Sequence, residues 1–350
     1  MSVPTTTTAP AAASAPPRRG SRRRRVVWLI VLAAFVLVAI IVSVTFGART
    51  ASFDDIVSGL TGSVDTTSAA AVSKRIPRTL LALIVGAALA VSGAVMQGVT
   101  RNPLADPQIL GINGGASLAV VIGLAFFGVT SAFGYIWLAM IGAAVAAVFV
   151  YTIGSLGRGG ASPLKLALAG AATAVAFTSL ISAILLPRID VMSVFRFWQV
   201  GGVGGATTEK ILLVLPFLAV GMIVCLAASG ALNSLALGDE LAAGLGERVR
   251  TARLVAALGA VVLCGAATAV AGPIGFVGLI VPHICRLLVG PGHRWLLPVS
   301  ALVGGGLLIV ADIVGRVIAR PQEVEVGIVT ALIGAPFFIA IVRRQRMRAL

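Results

Sequence analysis

Long apolar runs separated by short polar breaks dominate this chain. Each run is about 20 residues long, which is enough for a helix to cross a hydrocarbon core about 30 Å thick. In lipid, backbone N–H and C=O groups must be hydrogen-bonded within the protein, which only helices and closed barrels achieve. The runs are continuous rather than alternating, so they predict helices rather than a barrel. We predict ten membrane-spanning helices, at residues 26–46, 79–98, 110–129, 132–154, 164–186, 211–229, 253–271, 274–289, 296–315 and 326–342.

The composition supports an all-α polytopic membrane protein. Hydrophobic residues make up 58% of the chain and charged residues only 11%, whereas soluble domains carry about 25% charged residues. The 41 glycines allow close approach between helices. Cys225, Cys264 and Cys285 lie in or beside apolar segments without CxxC spacing, so we interpret them as small buried residues rather than disulfide partners.

The N-terminal 25 residues differ from the rest of the chain. They are rich in Thr, Ala and Pro, end in RRGSRRRR and precede the first apolar run directly. We predict that residues 1–25 are a disordered basic tail that faces the membrane surface, and not a nucleic-acid-binding arm. A secretory signal peptide is the alternative, but the apolar run at 26–46 is long for one and no clear cleavage site follows.

The distribution of positive charge predicts the topology. With ten spans, 18 of the 27 Lys and Arg residues fall on the side that holds both termini. The positive-inside rule therefore places both termini in the cytoplasm, including a basic C-terminal stretch at 343–350.

Two connections are too long to be simple turns. The outer segment 187–210 mixes aromatic residues with glycines, and we expect short interfacial helices there. The inner segment 230–252 contains Leu237, Leu241 and Leu245 at i, i+4 and i+8. This spacing predicts a short amphipathic helix within the segment that lies against the cytoplasmic side of the membrane, with an ordinary loop as the alternative.

The sequence carries no recognisable catalytic motif. It contains no GxxxxGK[ST] loop to hold ATP, and no HExxH or GxSxG. His283 and Cys285 form a His-x-Cys pair, but two ligands fall short of the three or four that zinc sites use. Helix packing or helix termination is the more probable role for His283 and His293, so we predict neither a metal site nor a catalytic site.

One acidic residue stands clearly inside a predicted span. Asp312 precedes Arg316 by four residues, which favours a structural ion pair on one helix face over a proton relay. The shortage of such acids weakens the hypothesis of a transporter driven by an ion gradient.

Four blocks of the sequence resemble the iron–siderophore ABC permease family (FecCD-like), whose relatives include the cobalamin and haem permeases. The first begins KRIPRTLL, contains the turn RNPLADP and ends GINGGAS. The others are LGDELAAGLGERV, AGPIGFVGLIVPHICRLLVGPGHRWLLPVSALVGGGLLIVADIVGR and EVEVGIVTALIGAPFFIAIVRR. They occur in the family's order, and RNPLADP resembles the family's cytoplasmic turn between spans two and three.

The resemblance implies a type II ABC importer permease of a bacterial cell membrane. Such a permease pairs with a second one, either the same chain or a paralogue, and with two cytoplasmic ATPases that use ATP and Mg. An extracytoplasmic binding protein delivers the substrate, here a ferric siderophore, with cobalamin or haem as alternatives. A gradient-driven transporter and a lipid-binding scaffold are the rival classes outside the family.

The resemblance also implies roles for individual residues. It points to a cytoplasmic coupling helix at 233–247 that docks on the ATPase, with its docking positions at Asp239, Glu240, Leu241, Gly244, Leu245 and Gly246. It points to binding-protein docking by Arg75, Arg78 and Arg316. Alternatively, Arg75 and Arg78 could anchor the helix at the membrane interface, and Arg316 could already be paired with Asp312. Candidates for the lining of the translocation path are Met96, Gln97, Asn113 and Ser117, each of which could equally serve helix packing.

Overall fold

The structure, a computed structural model, describes residues 22–47, 52–62, 66–156 and 163–346. Over these ranges the chain forms fourteen α-helices and one short 3-10 helix, and no strand. In chain order they are α1 (Arg22–Thr45), α2 (Phe53–Thr61), α3 (Thr67–Thr100), the 3-10 helix (Pro107–Leu110), α4 (Ile112–Phe127), α5 (Ala132–Ser155), α6 (Pro163–Leu185), α7 (Ile189–Gln199), α8 (Thr208–Ala227), α9 (Ser229–Leu235), α10 (Asp239–Gly244), α11 (Val249–Ala271), α12 (Val277–Val289), α13 (His293–Ile318) and α14 (Val326–Arg346).

Ten of these helices correspond to the ten predicted spans. Seven are long and apolar enough to cross a membrane: α1, α3, α5, α6, α8, α11 and α13. The other three, α4, α12 and α14, are shorter apolar helices. The prediction of an all-α polytopic membrane protein with about ten spans is therefore confirmed.

The helix boundaries differ most from the prediction at α3. This helix starts at Thr67 and is 34 residues long, whereas the apolar pattern predicted a start at residue 79. Its first three turns mix Ser, Thr, Lys and Arg with small apolar residues, so hydropathy did not reveal them. They are helical because the hydroxyl of Thr66 accepts a hydrogen bond from the backbone N–H of Ala69 and so caps the helix start.

The termini also differ from the prediction. Residues 1–21 of the predicted disordered tail lie outside the described residues, but Arg22 to Arg25 form the first turn of α1 instead of belonging to the tail. Long arginine side chains can carry a helix past the hydrocarbon region because their charged heads reach the interface. At the other end, α14 continues to Arg346, beyond the predicted end of the last span at 342.

The bundle is built around α3, whose residues from Leu81 to Val99 are mostly buried. It packs on its neighbours through glycines. A methyl group at Gly86 would lie 2.2 Å from the carbonyl oxygen of Gly304 in α13, and one at Gly93 would lie 2.1 Å from that of Gly278 in α12. Such contacts between backbones are the usual way for helices to pack tightly in a membrane.

A non-helical stretch separates α11 from α12. It begins at Gly272 (φ +71°) and ends at Phe276 (φ +68°), two left-handed residues that redirect the chain. The segment after α7 lies against this break, where Gly202 donates a 2.7 Å hydrogen bond from its N–H to the carbonyl oxygen of Ala271. Gly327, at the start of α14, donates to the carbonyl oxygen of Gly201. The break is thus supported by main-chain contacts.

Different helices and helix ends lie at the two ends of the bundle. At one end, called here the α10 end, lie α9, α10 and the start of α13. The start of α1 lies at the same end, because Arg25 approaches Gly290, three residues before α13. The opposite end, called the α7 end, holds α2, α7 and the starts of α3 and α14.

Candidate functional site

At the α10 end, a short segment presents apolar side chains outside the bundle. Leu237 is 58% exposed, Leu241 62% and Leu245 66%, whereas Ala242 is fully buried. Asp239 and Glu240, in the first turn of α10, are exposed beside them. These three leucines, called here the leucine row, therefore face away from the rest of the chain.

The segment is not the single helix predicted for 233–247. It consists of α9, which ends at Leu235, and α10, which starts at Asp239. Gly238 between them has φ +115°, a conformation that a helix cannot contain. Gly246, with φ +87°, ends the segment. Leucines at i, i+4 and i+8 fit one continuous helix, and this spacing gives no sign of a break at Gly238.

Hydrogen bonds tie this segment to the bundle. The side-chain oxygen of Asn233 in α9 accepts a 2.8 Å bond from the backbone N–H of His293, the first residue of α13. Arg101, which ends α3, donates from Nε to the carbonyl oxygen of Leu235 at 2.7 Å and pairs with Asp239. Arg253 of α11 bonds to the same oxygen of Asp239 at 3.0 Å. The exposed leucines thus lie on a segment attached to three helices.

The turn that follows Arg101 is held by its own side chains. The side-chain oxygen of Asn102 accepts from the N–H of Leu104 at 3.0 Å, and Oδ1 of Asp106 accepts from the N–H of Gln108 at 2.9 Å. Asp106 is buried, and its burial raises the pKa of the carboxyl to about 6. The polar residues of RNPLADP therefore shape the connection from α3 to α4.

At the α7 end, two arginines bind one buried carboxylate. Asp312 bonds to Arg78 at 2.8 Å and to Arg316 at 2.9 Å. The i, i+4 pair predicted for Asp312 and Arg316 is therefore present. Arg78 also pairs with Glu323 at 2.5 Å. The sequence did not reveal that Arg78 belongs to this network.

Arg316 and a third arginine, Arg75, hold the end of α1. Arg75 donates to the carbonyl oxygens of Val44 at 3.1 Å and Thr45 at 2.9 Å. Arg316, which is only 1% exposed, donates to the carbonyl oxygen of Ser43 at 2.9 Å and to its hydroxyl at 2.6 Å. Both side chains thus have structural partners within the chain.

The same arginines border a depression on this end of the bundle. It has a volume of about 370 Å³ and is lined by Ala71, Lys74, Arg75, Arg78, Gly204, Arg316, Pro321 and Glu323. Four basic residues face one acidic residue across it. A net positive concavity of this kind attracts carboxylates.

The four residues proposed to line a path are mostly buried within the chain. Met96, Gln97 and Ser117 are at most 6% exposed. Gln97 donates to the carbonyl oxygen of Gly278 in α12 at 3.1 Å, and Asn113 accepts from the hydroxyl of Thr268 in α11 at 3.0 Å. These contacts join neighbouring helices, which favours the packing alternative for these side chains within one subunit.

The histidines and cysteines have structural surroundings. The ring of His283 lies edge to face against Phe337 of α14, with centroids 6.2 Å apart, and His293 begins α13. All three cysteines are free and buried, as the sequence predicted. Among the described residues, no group of His, Cys, Asp and Glu is arranged to hold a metal ion.

Arg101 is a candidate residue that the sequence did not single out. Its signal was present, since the arginine follows the end of a span and is the first residue of the RNPLADP turn. However, its partners at Leu235 and Asp239 are more than 130 residues away in the chain. Only the fold brings them together.

Comparison with known proteins extends these observations over most of the chain. Residues 30–344 match the FecCD transport family. The ferric enterobactin transport system permease protein FepD of Escherichia coli is 44% identical over 317 residues, which cover 90% of this chain and 94% of FepD. The iron(3+)-hydroxamate import system permease protein FhuB of Bacillus subtilis is 47% identical over 272 residues, which cover 78% of this chain and 71% of FhuB.

A haem permease and a solved structure are also similar. The hemin transport system permease protein HmuU of Yersinia pestis is 40% identical over 277 residues, covering 78% of this chain and 82% of HmuU. An inward-facing structure of a metal-chelate type ABC transporter aligns with a TM-score of 0.79 at 30% identity, covering 91% of this chain and 99% of that one. Since the family match includes both ends of the bundle and nearly all ten spans, the chain belongs to the FecCD transport family.

Proposed function

We propose that this chain is the transmembrane permease subunit of an ABC importer that moves a ferric siderophore across a bacterial cell membrane. The similarity to permeases named for enterobactin and for iron hydroxamates supports this substrate class. The iron of such a chelate is already coordinated, so the permease needs a passage rather than a metal site. Haem is the alternative supported by the likeness to HmuU, and cobalamin is the alternative that the sequence resemblance implies.

The observation that carries the proposal is the exposed leucine row at the α10 end. Leu237, Leu241 and Leu245 point away from the bundle, and each is more than half exposed. A row of this size beside acidic Asp239 and Glu240 fits a groove on a partner protein. We assign that partner as a cytoplasmic ATPase, which would bind ATP and Mg and close against this segment.

At the α7 end, we propose that the basic depression receives acidic side chains of an extracytoplasmic binding protein. Arg78 is the least buried of the three arginines, and a carboxylate of the binding protein would exchange there with the exposed Glu323. Arg75 and Arg316 contribute positive charge while holding α1. Arginine suits this role because its planar head pairs with carboxylates through two parallel bonds.

The proposal places the α10 end in the cytoplasm, together with both termini. The excess of arginine and lysine at this end supports that orientation. A second permease subunit, identical or paralogous, completes the passage, and surrounding lipid covers the outward-facing apolar surface.

Iron uptake in a strain that lacks this chain tests the substrate class. We expect uptake of radioactive iron from one or more ferric siderophores to be lost and to return with the wild-type gene. We also expect growth on haem as the sole iron source to be unaffected. Loss of growth on haem with normal siderophore uptake would instead assign the chain to haem import.

A further inference from the structure

Arg101 occupies a junction between the α10 end and the helix at the centre of the bundle. It follows the last residue of α3 and has φ +51°, a left-handed conformation that is uncommon for a residue with a side chain. This conformation ends α3 and starts the turn to α4. The position of Arg101 therefore determines where the turn Asn102 to Asp106 begins.

The side chain of Arg101 contacts both helices of the exposed segment. Its Nε donates to the carbonyl oxygen of Leu235, the last residue of α9, at 2.7 Å. Its Nη2 pairs with Asp239, the first residue of α10. One guanidinium thus spans the break at Gly238. A lysine has no planar fork with which to reach two partners in this way.

Stability alone is a weak explanation for this arrangement. Arg101 is 37% exposed and Asp239 51% exposed, and ion pairs this accessible to solvent contribute about 0–1 kcal/mol to folding. Leu232 and Leu235 already fix α9 through complete burial. The contacts of Arg101 instead provide a mechanical connection between the segment that carries the exposed leucines and the end of α3.

We propose that Arg101 is the positioning residue through which movement of the segment α9–α10 reaches α3 and the α3–α4 turn. This inference rests on the proposed function, in which an ATPase binds the leucine row. When the ATPase displaces α10, Asp239 and the carbonyl of Leu235 move with it, and the guanidinium transfers that displacement to the backbone of Arg101. The turn that follows leads directly into α4.

The test uses the assembled transporter in membranes and measures three quantities: ATPase binding, ATP hydrolysis and substrate uptake. Arg101→Met is expected to keep ATPase binding and hydrolysis near wild type while uptake falls by about tenfold, the size of a coupling change near 1.4 kcal/mol. Arg250→Met, which alters an exposed arginine at the same end of the bundle, is the matched control and should import normally.

Two further variants keep the test decisive. Arg101→Lys retains the charge but cannot span both partners, so uptake should remain low. Asp239→Asn removes the ion pairs with Arg101 and Arg253 but leaves the bond to Leu235. If Arg101→Met does not fold, Asp239→Asn should still give a partial loss of uptake at unchanged ATPase binding, and a parallel loss of binding would overturn the coupling role.

The possible failures are distinguishable. Normal uptake by Arg101→Met, or a parallel loss of uptake and ATPase binding, would overturn the role of Arg101. The proposed function would be retained if the wild-type chain still bound the ATPase. A wild-type chain that binds no ATPase would overturn the proposed function and this inference with it.

Discussion

At the scale of single residues, the most constrained charges lie at the α7 end. Asp312 is buried between Arg78 and Arg316, and a buried carboxylate is stable only while its partners remain. The sequence predicted the Asp312–Arg316 pair because i, i+4 residues share a helix face. It could not predict that Arg78 joins this pair, because no spacing rule relates two residues that lie 234 positions apart in the chain.

Replacement of Arg316 by Met is expected to destabilise the protein strongly. The change removes one partner of Asp312 and the bonds to Ser43 that hold α1. We expect a loss of about 3 kcal/mol in the free energy of unfolding, measured as a lower midpoint of thermal unfolding in detergent. Arg196→Met alters an exposed arginine in α7 and should shift the midpoint little. Equal midpoints for the two variants would contradict the buried network.

Asp106 should impose a pH dependence on stability. Its pKa in the folded protein is about 6, above about 3.9 in an unfolded chain. Folding therefore favours the protonated form, and the stability of the wild type falls as pH rises between these two values. Asp106→Asn keeps the oxygen that caps Gln108 but cannot ionise.

We expect the unfolding midpoint of Asp106→Asn to exceed that of the wild type near neutral pH and to approach it near pH 4, within the window of the two pKa values. The midpoints of both proteins would be measured side by side across this window. A difference that stays constant with pH would show that the carboxyl does not titrate in this way.

At the scale of elements, hydropathy located the spans but not the segments that connect them. The apolar runs ended close to the helix ends for α4 to α6, because solvent and lipid impose the boundary there. The polar start of α3 and the break at Gly238 depend on capping and backbone conformation, which hydropathy does not register. The predicted helix at 233–247 was wrong for this reason.

Glycine contacts between helices give a test at this scale. A methyl group at Gly93 would meet the backbone of Gly278 at 2.1 Å, so Gly93→Ala must separate α3 from α12. We expect a loss of about 1–3 kcal/mol in unfolding free energy. Gly244→Ala is the matched control, since nothing lies within 4 Å of that position. Equal thermal stability of the two variants would mean that the close approach is not required.

The leucine row gives a second test of an element. Leu241→Glu together with Leu245→Glu should abolish ATPase binding in a pull-down from detergent, because the apolar surface offered to the partner becomes charged. The bundle should stay folded, since both side chains are exposed. Leu60→Glu, an exposed leucine at the α7 end, should bind the ATPase normally. Unchanged binding by the double variant would place the contact elsewhere.

At the scale of the whole molecule, the two ends carry different chemistry on one scaffold. The α10 end offers leucines and acidic residues, and the α7 end offers a basic depression. Sequence blocks from both ends indicated the family, and the comparisons confirm it. The lining of a passage was harder to predict. The same types of side chain occur at positions that face a second subunit and at positions packed within one subunit.

The central claim is that this chain works as the permease of an ABC importer. The most direct measurement is purification from native membranes in mild detergent, with every co-purifying subunit identified by mass spectrometry. We predict a stoichiometric ATPase carrying a P-loop, together with one permease species or two. If the chain purified alone under conditions that preserve other ABC complexes, the result would contradict the account and favour a carrier driven by an ion gradient.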